Sequence, residues 1–115
     1  MVVKLNRAAV SHARSLIEAG DVVHDEHDGW GKAAPSAADE NAFIDKHGYG
    51  EYAKWFLGVD SEKSEETKGR YSFPYGDFTK VRRGGVIAAE DRAAQNDHDD
   101  IAKAAKRLLN LIDGE

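Results

Sequence analysis

Apolar positions recur at three- and four-residue spacing near both ends of the chain and lose that period in between. Leu5, Ala9, His12, Leu16 and Ala19 fall on one face of a helix over residues 4–19, and Gly20 stands where a helix closes on a left-handed residue. Ser36 with Asp39 three residues on resembles a capping box. It predicts a helix over Ala37 to His47 whose buried side is Ala38, Ala42 and Phe43. After Gly48 and Gly50, Tyr52, Trp55 and Phe56 meet on one face of a short helix, Glu51 to Leu57, stopped by Gly58. At the far end Ile101, Ala104, Ala105, Leu108 and Ile112 make one stripe. Asn96-Asp97 separates that helix from a preceding one, for which Asp77 is the expected N-cap, so residues 80–113 read as a helical hairpin.

Two stretches carry no helical period. Residues 21–35, with Gly-Trp-Gly and a proline, read as an ordered loop pinned by Trp30, and residues 61–69 as an acidic loop. Arg70 to Tyr75 alternates Tyr71, Phe73 and Tyr75 and contains Pro74, which makes it extended, without an identifiable partner strand. The expected fold is therefore mainly α: a small single domain over residues 1–115, with a C-terminal αα-hairpin and an extended aromatic segment. The alternative is α+β with a short hairpin.

At 115 residues there is room for one core, and a hydrophobic share of 41% with 32% charged residues is that of a globular chain rather than a disordered one. The absence of cysteine excludes a disulfide framework and thiolate sites and suits the cytoplasm. Val2 and Val3 are too short an apolar run for a signal peptide or a membrane span. A formal charge of −5 disfavours sequence-independent attraction to nucleic acid or anionic lipid. The charge is uneven, however. Between residues 68 and 83, Lys68, Arg70, Lys80, Arg82 and Arg83 face Asp77 alone, a local balance of +4.

That basic cluster, interleaved with Tyr71 and Tyr75, has the composition of a stacking platform beside an electrostatic groove, and these seven residues are the candidate binding set for nucleic acid or protein. The competing reading makes the aromatics core and pairs Arg82 and Arg83 with Glu90, Asp91 or the acidic loop. His24, Asp25, His27 and Asp28 offer imidazole and carboxylate ligands for a divalent ion, but HDEHD lacks the spacing that places two histidines on one helix face. Gly84-Gly85 either precedes a helix, admits a close neighbour or exposes amides to a phosphate. The small residues that follow favour the close neighbour. Ser11-His12 is no triad, since adjacent helical residues point apart, and His12 reads as a core histidine. No residue is assigned a catalytic role and no cofactor is implied.

From "KWFLGVD" through "TKGRYSFPYGDFTKVRRGGVIAAEDRAAQ" to "DIAKAAKRLLNLID", the chain resembles a group of small bacterial and prophage-encoded domains of unassigned function, some of which lie beside phage head-maturation proteins. The resemblance covers roughly residues 30 to 113 and is most specific at Phe73 to Asp77. It implies a recurring domain and no activity. Where those domains often have an aromatic residue or histidine before the arginine, this chain has Arg82. The expectation is a cytoplasmic interaction or structural module without catalysis, whose partner is another protein rather than nucleic acid or membrane. The alternatives are weak nucleic-acid binding through the 68–83 cluster and metal binding through residues 24–28.

Overall fold

The computed structural model describes residues 3–26 and 29–114. In chain order these form β1 (Val3–Leu5), α1 (Arg7–Glu18), β2 (Val22–Val23), α2 (Trp30–Ala33), α3 (Ala37–Ala53), β3 (Phe56–Asp60), β4 (Tyr71–Pro74), β5 (Val81–Arg82), α4 (Arg83–Gln95) and α5 (Asp99–Ile112), with a 3-10 turn over Lys68–Arg70 leading into β4. β3 is the centre of an antiparallel sheet of order β1-β3-β4, pairing Leu5 with Gly58 on one side and Ser72 with Gly58 on the other. β2 and β5 pair in parallel as a second, two-stranded sheet.

The mainly helical expectation is thereby corrected to a mixed α+β fold. The sheet has three strands rather than the short hairpin of the alternative. The physical reason lies in β3. Phe56, Leu57, Gly58 and Asp60 are all buried, so the strand is covered on both faces, shows no alternation, and reads like the end of the preceding helix. Gly58 does not stop a helix. It lies mid-strand, where a Cβ would come within 2.7 Å of both the Phe73 ring and Ser72 Oγ. β1 likewise takes Leu5 away from the helix expected from residue 4, and α1 begins only at Arg7.

Local signals set several boundaries. Gly20, at φ 84°, closes α1 with Gly20 N–H donating to Ile17 O and Asp21 N–H to Leu16 O, the paired bonds of a Schellman motif. The capping box holds: Ser36 N–H donates to Asp39 Oδ2 and Asp39 N–H to Ser36 Oγ, both at 3.1 Å. α3 then runs through a kink at Gly48 to Ala53, while Ala38 and Ala42 are exposed and only Phe43 of the expected trio is half-buried. Asn6 joins three elements: its N–H donates to Leu57 O, and its Nδ2 donates to Ala53 O and Phe56 O across the turn from α3 to β3.

The core draws on almost every element. Ala9 and Ala13 of α1, Leu57 of β3, Val86, Ala89 and Ala93 of α4, and Ile101, Ala105 and Leu108 of α5 are buried in one cluster with Tyr52, Trp55, Phe56, Phe73 and Tyr75. α4 and α5 pack as a helical pair, α5 against β1 and β3, and α4 against β4. The alanines on α4 let the pair approach closely, which is the use that small residues have on a helix flank.

Candidate functional site

The aromatic and basic stretch that stood out in the sequence is spent inside the fold. Tyr75 is 0% exposed; its ring stacks on Trp55 and its hydroxyl donates to Lys54 O, with Ala9 O also within reach. Burial raises its pKa, so the phenol stays neutral throughout the ordinary pH range. Phe73 is buried and meets His98 edge-on, and Phe78 stacks on Phe43 with centroids 4.6 Å apart. Both phenylalanines take a positive φ, 62° and 68°, costly for a side chain with a Cβ and sustained by this packing. Tyr71 is half-buried against Tyr52 and donates its hydroxyl to Glu65 O. No ring of the set is displayed as a platform.

The basic side chains do not converge either. Lys68 reaches Glu40 at 3.4 Å, and Arg70 donates to Lys63 O at 2.6 Å, fastening the acidic loop to the start of β4. Arg82 Nε donates to Asp77 Oδ2 at 2.8 Å, while its Nη1 lies 3.6 Å from Asp25 Oδ2, an ion pair too long for a hydrogen bond. Arg83 grips Asp113 just beyond α5 with Nε to Oδ1 at 2.8 Å. The partners expected from sequence, Glu90, Asp91 and the 62–66 loop, are replaced by Asp77, Asp25 and Asp113. Among the described residues neither Arg70 nor Lys80 has an acid against it, and of the two Lys80 is the exposed one.

Asp77 is not the cap of α4, which begins six residues later, at Arg83, with Arg82 in the N-cap position. Its Oδ1 instead accepts from Thr79 N–H and Lys80 N–H, closing the turn before β5. Partial burial opposes its charge, yet the Lys80 amide, the Arg82 guanidinium and the Thr79 amide outweigh that and hold the carboxyl below its usual range. The helix end is served from a distance: Gly84 N–H donates to Asp25 Oδ1 at 2.8 Å. Gly84 and Gly85 lie in the first turn of α4. A Cβ on Gly84 would overlap Glu26 O, and one on Gly85 would lie 2.8 Å from Tyr75 O and 2.9 Å from the Trp30 ring. Of the three uses weighed for this pair, the structure displays the close neighbour.

Of the metal-loop set, Asp25 is turned toward Gly84 and Arg82, His24 is exposed, and His27 and Asp28 lie outside the described residues. Among the described residues no group of three His, Asp or Glu side chains is placed to hold a metal ion. His12 meets the Trp55 ring edge-on at 5.0 Å with Nε2 buried and unpaired; burial lowers its pKa, with Lys54 adding to the effect and Glu51 opposing it.

A different surface gathers unpaired charge. α1 and α5 pack side by side, and between them runs a groove of about 540 Å³ lined by Leu5, Arg7, Val10, Ser11 and Arg14 on one wall and Ala104, Arg107, Leu108, Asn110 and Leu111 on the other. Arg7, Arg14 and Arg107 are exposed, have no acidic partner among the described residues, and no carboxylate is among the lining side chains. Leu111, at 38%, is the one large apolar side chain exposed among the described residues. The sequence held a signal for this site: residues 1–17 and 101–112 each contain three Lys or Arg and no acid.

Comparison with known proteins leaves the geometry to stand alone: no family model matches the chain, nor does any curated protein or solved structure. Among the described residues no helix is long and apolar enough to cross a membrane.

Proposed function

We propose that this chain is a cytoplasmic interaction module that works by presenting a rigid surface to another protein, without catalysis. One observation carries the reading: the residues that looked most functional are committed to one another. Each of Arg82 and Arg83 is matched by a carboxylate and Tyr75 is sealed in the core, whereas Arg7, Arg14 and Arg107, which have no acidic partner among the described residues, flank a partly apolar groove. A free charge beside exposed apolar surface is the composition of a binding rim. The resemblance to small bacterial and prophage-encoded domains suits an accessory module of this kind.

Nucleic-acid binding through residues 68–83 is the competing reading. It requires cations that track a phosphate backbone, and therefore affinity that falls steeply with salt. Fluorescence anisotropy with a labelled duplex and a labelled single strand, over a salt series, tests this. The expected result is negligible binding at about 150 mM salt. Submicromolar binding there, abolished by Arg82→Glu with Arg83→Glu in a variant that remains folded, would overturn the reading.

A further inference from the structure

We propose that the α1/α5 groove is a docking site for an acidic amphipathic helix of another protein, with two or three apolar side chains of that helix filling the groove over Leu5, Val10 and Leu111 and its flanking carboxylates meeting Arg7, Arg14 and Arg107. The inference rests on the interaction-module reading and names the occupant of its surface. Charge complementarity selects the partner. Three guanidiniums with no acidic partner among the described residues, in a lining without a carboxylate, favour an acidic ligand, in a chain whose net charge of −5 would otherwise repel one. Screening over about 8 Å at physiological salt leaves the local cations to dominate at contact.

The shape selects a helix over other anions. A concave, partly apolar trough between two packed helices accepts a third helix whose side chains at i, i+3/i+4 and i+7 repeat at the pitch of its walls. Arg7, Val10 and Arg14 themselves follow that pitch along α1, as do Arg107 and Leu111 along α5. A phosphate backbone would have no use for the apolar surface of Leu5, Val10 and Leu111 on the groove walls. A bilayer surface is flat, and would not reach into a trough walled by two helices. Guanidinium groups suit carboxylates better than ammonium groups do, because two N–H donors match both oxygens.

The test is a heteronuclear NMR titration of the full chain with a synthetic helical peptide of about 15 residues, leucines at helical spacing and glutamates elsewhere. Its lysine-for-glutamate counterpart, phosphatidylserine-containing vesicles and a DNA duplex serve as the other arms. The acidic peptide is expected to give saturable shifts confined to the exposed sides of Arg7–Arg14 and Ala104–Leu111, with Kd of roughly 10 to 300 μM for so small a patch. Arg14→Glu with Arg107→Glu, and separately Leu111→Ser, should each weaken it by about tenfold or more while leaving the thermal midpoint in place. Shifts mapping elsewhere, equal binding of the basic peptide, no saturation by about 1 mM, or stronger binding to vesicles or duplex would overturn the proposal. Shifts that saturate on another face would discard the groove yet keep the interaction module, whereas tight duplex binding would discard both.

Discussion

Replacing Gly84 by alanine sets two well-understood effects against each other. Alanine is the better helix former by about 1 kcal/mol in a helix interior, and by less in a first turn, so propensity alone predicts a more stable protein. The structure predicts the reverse. The added Cβ would overlap the backbone carbonyl of Glu26, which cannot rotate aside like a side chain, and would lie 3.4 Å from Asp25 Oδ1. To make room, the segment after β2 must withdraw, lengthening the bond from Gly84 N–H to Asp25 and loosening the Asp25–Arg82 pair. Overpacking of this kind costs about 1–3 kcal/mol, and a weakened charge-assisted hydrogen bond adds about 1 kcal/mol, so Gly84→Ala should lose about 1–3 kcal/mol after the propensity gain. Gly50→Ala is the internal control: it lies within α3 with nothing within 4 Å of a built Cβ, and should be neutral or gain up to about 1 kcal/mol. Urea unfolding followed by far-UV circular dichroism reads both. A Gly84→Ala protein as stable as the parent would refute the close approach on which the entry to α4 depends.

Tyr75→Phe should cost about 1–3 kcal/mol in the same assay, since it leaves the stacked ring in place but strips Lys54 O of its buried donor; an unchanged midpoint would mean that the hydroxyl is not held there. Stability should also fall at both ends of the pH scale. Tyr52 and Tyr75 have pKa values raised by burial, so the stability that they contribute is complete below the ordinary 10.0 and is lost as pH rises above it, which pH-resolved urea midpoints will show as an alkaline decline. On the acid side, His12 has its pKa lowered by burial and by Lys54, so a penalty for charging it enters as pH falls below 6.5; Asp77, held below 3.8, loses its contribution lower still. His12→Gln should flatten the first of these two steps, and a profile unchanged by it would argue against a buried neutral imidazole.

Legibility in the sequence followed the range of each interaction. The Ser36–Asp39 box, the Gly20 closure and the apolar stripe of α5 are encoded within four residues of themselves and read correctly. β1 and β3 were hidden because strands of three and five residues have too little length for a period, and β3 is buried on both faces. Tyr52, Trp55 and Phe56 do gather as read, but around the turn out of α3 rather than on a helix face. Asp77 reads from sequence as a carboxylate that binds amides, but it takes those of Thr79 and Lys80 rather than those of α4, since cap and turn use the same acceptor geometry. The partners of Arg82 and Arg83 lie 57 and 30 residues away at Asp25 and Asp113, in the first instance besides nearby Asp77, a distance across which charge spacing carries no information. The arginine groove combines two helices from opposite ends of the chain, and only their packing brings it into being.

Native-state hydrogen exchange tests most directly the central claim that the Tyr75 to Gly85 stretch is structural and not a displayed loop. Tyr75 N–H donates to Trp55 O, Val81 N–H to Asp21 O, Arg82 N–H to Tyr75 O and Gly84 N–H to Asp25 Oδ1, so the stretch is tied to Trp55 of the core, to the segment holding Asp21 and Asp25, and to itself. These four amides should exchange only through global unfolding, with the free energy and denaturant dependence of the α5 core amides. Rapid exchange of Val81, Arg82 and Gly84 through local opening, while α5 stays protected, would contradict the claim and return this stretch to the candidates for a binding loop.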